Sequence, residues 1–336
     1  MAGWAWLKNR LWLIRFLVFL VVVLAVGWQF HRILNSDALA QGHPGVSPFI
    51  ILLDFAKGMG WIRSGLTIGF YVIGIGCSYS FWHICVRNLG NQMSLRHGAM
   101  AFYYSQWGKY APGKGLALLM RVGGAVKAGA TIPIAAVAAL FEVLVTMVSG
   151  ALLGLLLGIG FLCSAPIGNS GTLLFHAAII LGVVLFPVLP PIFNQLVYRL
   201  AKRFINPKQQ AVKPGWSDLG NGILITCGTW IFLGSSLWVL ISGIGDNGLT
   251  GVSGCLRCVM FVCLASVGGF IASTPGGLGV REFLLQQYLE PFLGPKAVVV
   301  VLLLRLLWTA AEVIAVGILW IVSRRNCKMK VSTAMG

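Results

Sequence analysis

Three charged residues, Glu142, Arg305 and Glu312, stand deep inside long apolar runs, and five more, Lys109, Lys114, Arg121, Arg281 and Glu282, flank two Pro-Gly breaks. A charge at the centre of a bilayer costs at least about 2.5–3.5 kcal/mol on insertion scales, so such residues face a cavity or one another. Arg305 and Glu312 are seven positions apart. That puts them on one helix face about two turns from each other, too far for a direct pair. Two chemistries fit these residue types. In one, Lys109, Lys114, Arg121, Arg281 and Arg305 hold a phosphate headgroup, arginine through its bidentate fork, while Glu142, Glu282 and Glu312 balance charge or carry a proton. In the other, Glu142 and Glu312 neutralise Lys109, Lys114, Arg121 or Arg281 in a structural network.

The breaks that carry these residues resemble each other. The first reads Ser105-Gln106-Trp107-Gly108-Lys109-Tyr110-Ala111-Pro112-Gly113-Lys114, followed by Arg121 and an apolar run with Glu142. The second reads Ser273-Thr274-Pro275-Gly276-Gly277-Leu278-Gly279-Val280-Arg281-Glu282, followed by a run with Arg305 and Glu312. Proline removes a helix donor and disfavours helix just before it, and glycine permits a tight turn. Pro112 and Gly113, and then Pro275, Gly276, Gly277 and Gly279, are therefore turn residues of two re-entrant hairpins. Broken backbone at membrane depth is tolerated only when buried in protein or lining a wet cavity. Inverted repeats with broken helices meeting near the midplane are a common transporter plan, in which half-helix N-termini attract anionic groups.

The elements that must position these residues are apolar helices. Of the 336 residues 58% are hydrophobic and 10% charged, and the mean hydropathy is +0.87. A soluble domain carries roughly 25% charged residues. Spanning about 30 Å of hydrocarbon takes roughly 20 apolar residues of helix. Runs of about that length cover residues 11–30, 65–85, 132–162, 173–193, 219–241, 252–273 and 297–322. Gly150, Gly154 and Gly158 repeat at intervals of four, a face that lets a second helix approach closely. Residues 48–55 are apolar but too short to cross, and read as an interfacial helix.

Lysine and arginine before the first run, in the 198–218 loop and at the C-terminus place all three on the cytoplasmic side. Both termini inside require an even number of crossings, whereas seven runs are evident. Either residues 252–293 form a hairpin that enters and leaves from one side, or residues 276–293 cross. The expected architecture is an all-α polytopic helical membrane protein with six to eight transmembrane segments and two re-entrant Pro-Gly hairpins. Six full spans are preferred, with an inverted repeat. It forms one integral membrane domain over residues 1–336, with halves 1–197 and 219–336 joined by the basic loop 198–218, in the cytoplasmic membrane.

Several other chemistries are disfavoured. The net charge of +17 flanks apolar runs, where it meets anionic headgroups, and no basic stripe with interleaved aromatics suggests nucleic acid. His83, His97 and His176 lack ligand partners at helical spacing, so no metal is expected. Cys255 and Cys258 form a lone C-x-x-C without a redox context, read chiefly as packing. No cofactor is expected.

The two Pro-Gly motifs resemble the signatures of the lysylphosphatidylglycerol synthase transmembrane-region family, the flippase-like domain family, and the similarity covers nearly the whole chain. The Pro-Gly-Gly-x-Gly-x-Arg-Glu string is the more specific of the two. Fused members, the multiple peptide resistance factors, flip aminoacylated phosphatidylglycerol and carry a cytosolic aminoacyltransferase domain. No such domain is expected here, because the sequence ends shortly after its last apolar run. The resemblance thus implies a stand-alone lipid translocator whose partners are membrane lipids with a phosphate headgroup. Two alternatives remain open. One is a membrane-embedded lipid-processing enzyme, disfavoured by the scattered Asp37, Asp54, Asp218 and Asp246. The other is an accessory subunit whose basic loop docks a separate lipid-modifying enzyme.

Overall fold

The computed structural model describes residues 48–110, 115–163, 182, 185–201, 213–244, 248–271, 279–294 and 296–333. The first apolar run, most of residues 173–193, and Pro112, Gly113, Lys114, Pro275, Gly276 and Gly277 lie outside them. Among the described residues there are nine α-helices and no strand. They are α1 (Pro48–Asn88, broken at Gly60, φ 72°), α2 (Leu95–Ser105), α3 (Gly115–Lys127), α4 (Ile132–Cys163) and α5 (Pro190–Ala201). Then follow α6 (Trp216–Ile241), α7 (Gly251–Ile271), α8 (Val280–Leu293) and α9 (Lys296–Thr333). A 3-10 helix, Gln106–Tyr110, extends α2. The chain is an all-α polytopic membrane protein.

Among the described residues five stretches are long and apolar enough to cross a membrane: Gly60–Asn88, Ile132–Phe161, Trp216–Ile241, Gly251–Ile271 and Lys296–Val322. Their directions follow from contacts at the two ends of the bundle. At one end Asn88 donates to the Asp218 carboxylate at 2.7 Å, joining the end of α1 to the start of α6. At the other end Gly243, just beyond α6, lies against Arg63 near the start of the α1 span. These are called the Asn88 end and the Arg63 end. The polar connection before α6 is shorter than the 198–218 loop read from sequence, since α5 continues to Ala201 and α6 starts at Trp216.

The first hairpin hangs from the Asn88 end. There the Tyr79 hydroxyl donates to the Leu95 carbonyl, and Gly129, just beyond α3, sits against Gln92. A Cβ at Gly124 would lie 2.4 Å from the Ala101 Cβ, and one at Gly108 would lie 2.5 Å from Ala117 Cα. Those close approaches hold α2 and α3 antiparallel. With its 3-10 extension α2 rises about 26 Å and α3 about 20 Å, both short of the roughly 30 Å of hydrocarbon. Tyr103, near the end of α2, donates to the Val72 carbonyl of α1 at 2.9 Å, so the hairpin reaches well into the bundle.

The second hairpin hangs from the Arg63 end. Its first helix, α7, starts where the Trp238 indole donates to the Leu249 carbonyl at 3.1 Å. It runs antiparallel to α4, with Arg257 over Phe161, Met260 by Gly158 and Cys263 by Gly154. Gly150 takes the Trp230 ring of α6, so the glycine face packs two helices. That register sets Ile271 level with Met147, about 22 Å short of the start of α4. Length alone would let α7 span, yet it stops in mid-bundle. The return helix α8 packs Leu284 on Gly268, and Tyr288 and Phe292 on Phe261. It ends where it began, as the hairpin alternative requires.

The two halves are inverted copies in plan. One is α1, the α2–α3 hairpin and α4; the other is α6, the α7–α8 hairpin and α9. Their packing is reciprocal: α1 lies on α9 as α6 lies on α4, and α2 lies on α9 as α7 lies on α4. Likewise α3 packs on α4 as α8 packs on α9, and α1 and α6 pack on each other. The two hairpins enter from opposite ends of the bundle.

Candidate functional site

Each hairpin brings its charged residues to a helix that crosses. In the first half Arg121, on α3, is ion-paired with Glu142 on α4. Arg121 also donates to the Ser105 hydroxyl at 3.2 Å, and its guanidinium lies 4.0 Å from the centre of the Phe102 ring. The other Glu142 oxygen accepts from Thr146 at 3.3 Å. Both members of the pair are buried.

The second half is built differently. Glu282, in the first turn of α8, accepts the Gly279 backbone N–H at 2.8 Å and so caps its own helix. Gly279 takes φ 89°, a conformation that favours glycine. The other Glu282 oxygen faces two guanidiniums, Arg281 at 3.1 Å and Arg305 of α9 at 3.4 Å. Two arginines therefore share one carboxylate at the N-terminus of a helix, where the backbone dipole adds further positive potential.

A third cluster joins the halves. Glu312, on α9 and only 1% exposed, accepts from both Lys109 and the Tyr71 hydroxyl on the same oxygen. Lys109 also donates to the Tyr71 hydroxyl at 3.2 Å. The second Glu312 oxygen is buried with no hydrogen-bond partner. Trp308 links this cluster to the previous one. Its ring stacks on Tyr71 at 5.0 Å, Arg281 lies 5.5 Å from its centre, and its N–H donates to Ser236 at 3.0 Å. Arg305, Trp308 and Glu312 are spaced three and four apart, so one stripe of α9 presents all of them.

Of the residues singled out in the sequence, the structure brings Lys109 to Glu312, Arg121 to Glu142, and Arg281 and Arg305 to Glu282. Lys114 and the turn residues other than Gly279 lie outside the described residues. Arg305 and Glu312 each find a partner from a hairpin. Sequence reasoning missed Tyr71 and Trp308. Both are aromatics in apolar runs, where such residues pass for core; only the placing of Trp308 between Arg305 and Glu312 could have marked it.

This fold and site define a class: a helical membrane protein of two inverted halves whose re-entrant hairpins carry ion pairs into the bundle. The chain belongs to the lysylphosphatidylglycerol synthase TM region family, whose family model matches residues 12–319. It is thus a membrane domain of a family linked to lysylphosphatidylglycerol synthesis and lipid handling. No curated protein matches the sequence.

Proposed function

We propose that this protein moves a lipid with a phosphate headgroup between the leaflets, acting as a flippase-like translocator. The observation that carries the reading is the site at the tip of the second hairpin, where Arg281 and Arg305 share Glu282 beside the start of α8. Two guanidiniums gathered at the start of a helix suit an anionic group, and their forked donors suit phosphate. Hairpins that enter from opposite ends support passage from either side. Arg281 is the more accessible arginine, with 18% of its side chain exposed against 7% for Arg305. In this mechanism Arg281 meets the headgroup first, and Lys109 and Glu312 take it onward by exchanging partners. Arg121 and Glu142 hold the first hairpin to α4 throughout. The Asn88 end, which carries Arg87, Arg96, Lys127, Arg199 and Lys213, is the cytoplasmic end.

The test is translocation of a headgroup-labelled phospholipid in vesicles containing the purified chain. Arg281→Ala should slow transfer at least roughly tenfold, the effect of losing one charge-assisted contact. Its melting temperature should stay close to that of the unaltered protein. Equal rates for the two would remove Arg281 from the mechanism, and no transfer by the unaltered chain would sink the function.

A further inference from the structure

Arg257 lies outside the central clusters. It sits six residues into α7, about 9 Å below the helix start at the Arg63 end. Its guanidinium lies 5.0 Å from the centre of the Phe161 ring on α4 and 5.6 Å from that of Phe292 on α8. Three helices from both halves thus build its surroundings. Among the described residues no carboxylate, carbonyl or hydroxyl accepts from it, and Glu290, on the same hairpin, is instead bonded by Gln287 at 3.2 Å. Two rings can hold a guanidinium in place, but they leave its N–H donors unspent. Around it Leu156, Ile159, Val252 and Leu256 are exposed apolar residues, a surface that meets acyl chains.

From this we propose that Arg257, held by Phe161 and Phe292, binds the phosphodiester of a membrane lipid in the leaflet at the Arg63 end. A guanidinium at this depth lies within reach of the headgroup layer, as long basic side chains near helix ends do. The rings fix it in one place, and the apolar surface around it receives the tails. The occupant is a lipid rather than a free anion, because head and tails are both provided for. This site stands apart from the translocation site and does not depend on it.

Native mass spectrometry of the full chain with added phosphatidylglycerol tests the assignment. Arg257→Gln should weaken retention of one lipid roughly tenfold, and Arg257→Lys by less, since the charge stays while the fork is lost. Phe161→Ala should also lower retention, while Arg96→Gln, at the Asn88 end, should leave that lipid in place. Three outcomes overturn the proposal. They are equal retention by Arg257→Gln, equal retention of diacylglycerol (which lacks the phosphate), and displacement of the lipid by inorganic phosphate at matched concentration. If Arg257→Gln fails to fold, the lysine and Phe161 variants decide the matter by the same criteria.

Discussion

The two halves share a plan but place opposite charges at matching positions. Glu142 follows Pro112 by 30 residues and Arg305 follows Pro275 by 30. Each pairs with the returning helix of its own hairpin, Glu142 with Arg121 and Arg305 with Glu282. The acid is on the crossing helix in one half and on the hairpin in the other. A second match contrasts more. Glu312 follows Pro275 by 37 residues, and Ser149 follows Pro112 by 37. Glu312 meets Tyr71 of α1; Ser149 meets Trp230 of α6, whose N–H it accepts at 3.1 Å. One half is closed and neutral at its centre, and the other concentrates charge. The symmetry builds the scaffold, and the departures from it make the candidate site.

The largest effect should come from breaking the closed half. Arg121→Ala leaves Glu142 buried, with only Thr146 bonded to it. Losing one partner of a buried ion pair costs about 3–5 kcal/mol, because the other charge is left uncompensated. Thermal unfolding in detergent should show that loss for Arg121→Ala. Replacing both by methionine should restore most of the stability, because an apolar pair of similar volume leaves no charge stranded. If the double variant is no more stable than the single, the pair is more than a clamp, and the proposed division of labour between halves is wrong.

A middle effect should come from the junction between the halves. Tyr71→Phe keeps the ring stacked on Trp308 but removes a hydroxyl that donates to Glu312 and accepts from Lys109. Hydrogen bonds to charged groups are worth about 1.5–3 kcal/mol, so melting should fall by less than for Arg121→Ala. Lipid transfer should fall as well, since the Lys109–Glu312 exchange loses its guide. Unaltered transfer with lowered stability would make Tyr71 purely structural.

The sequence carried the hairpins because proline and glycine act locally, and α2, α3, α7 and α8 stop near the Pro-Gly segments. The sequence also exposed which residues were charged at depth. The partners were not legible, since Lys109 and Glu312 are 203 positions apart and only tertiary packing joins them. The matching of Glu142 to Arg305 was hidden for a related reason. A search for repeated carboxylates pairs Glu142 with Glu312, whereas the inverted halves conserve position and reverse the charge. Length also misled at α7, which has enough apolar residues to cross but is followed by α8 packed back along it.

The smallest effect should come from the neutral counterpart of Glu312. Ser149 donates to the Thr146 carbonyl at 2.9 Å and meets Thr226 at 2.8 Å and Trp230 at 3.1 Å. Each of those groups has another partner. The Trp230 N–H also reaches the Thr146 carbonyl at 2.9 Å, and Thr226 donates to the Gly222 carbonyl at 2.7 Å. Ser149→Ala therefore strands no donor, and should cost only about 0.5–1.5 kcal/mol, the net worth of one ordinary hydrogen bond. Lipid transfer should be unaffected within the error of the vesicle assay. A fall in transfer comparable to that of Tyr71→Phe would mean that the neutral half also handles the headgroup. The contrast between the halves would then describe their charges and not their roles.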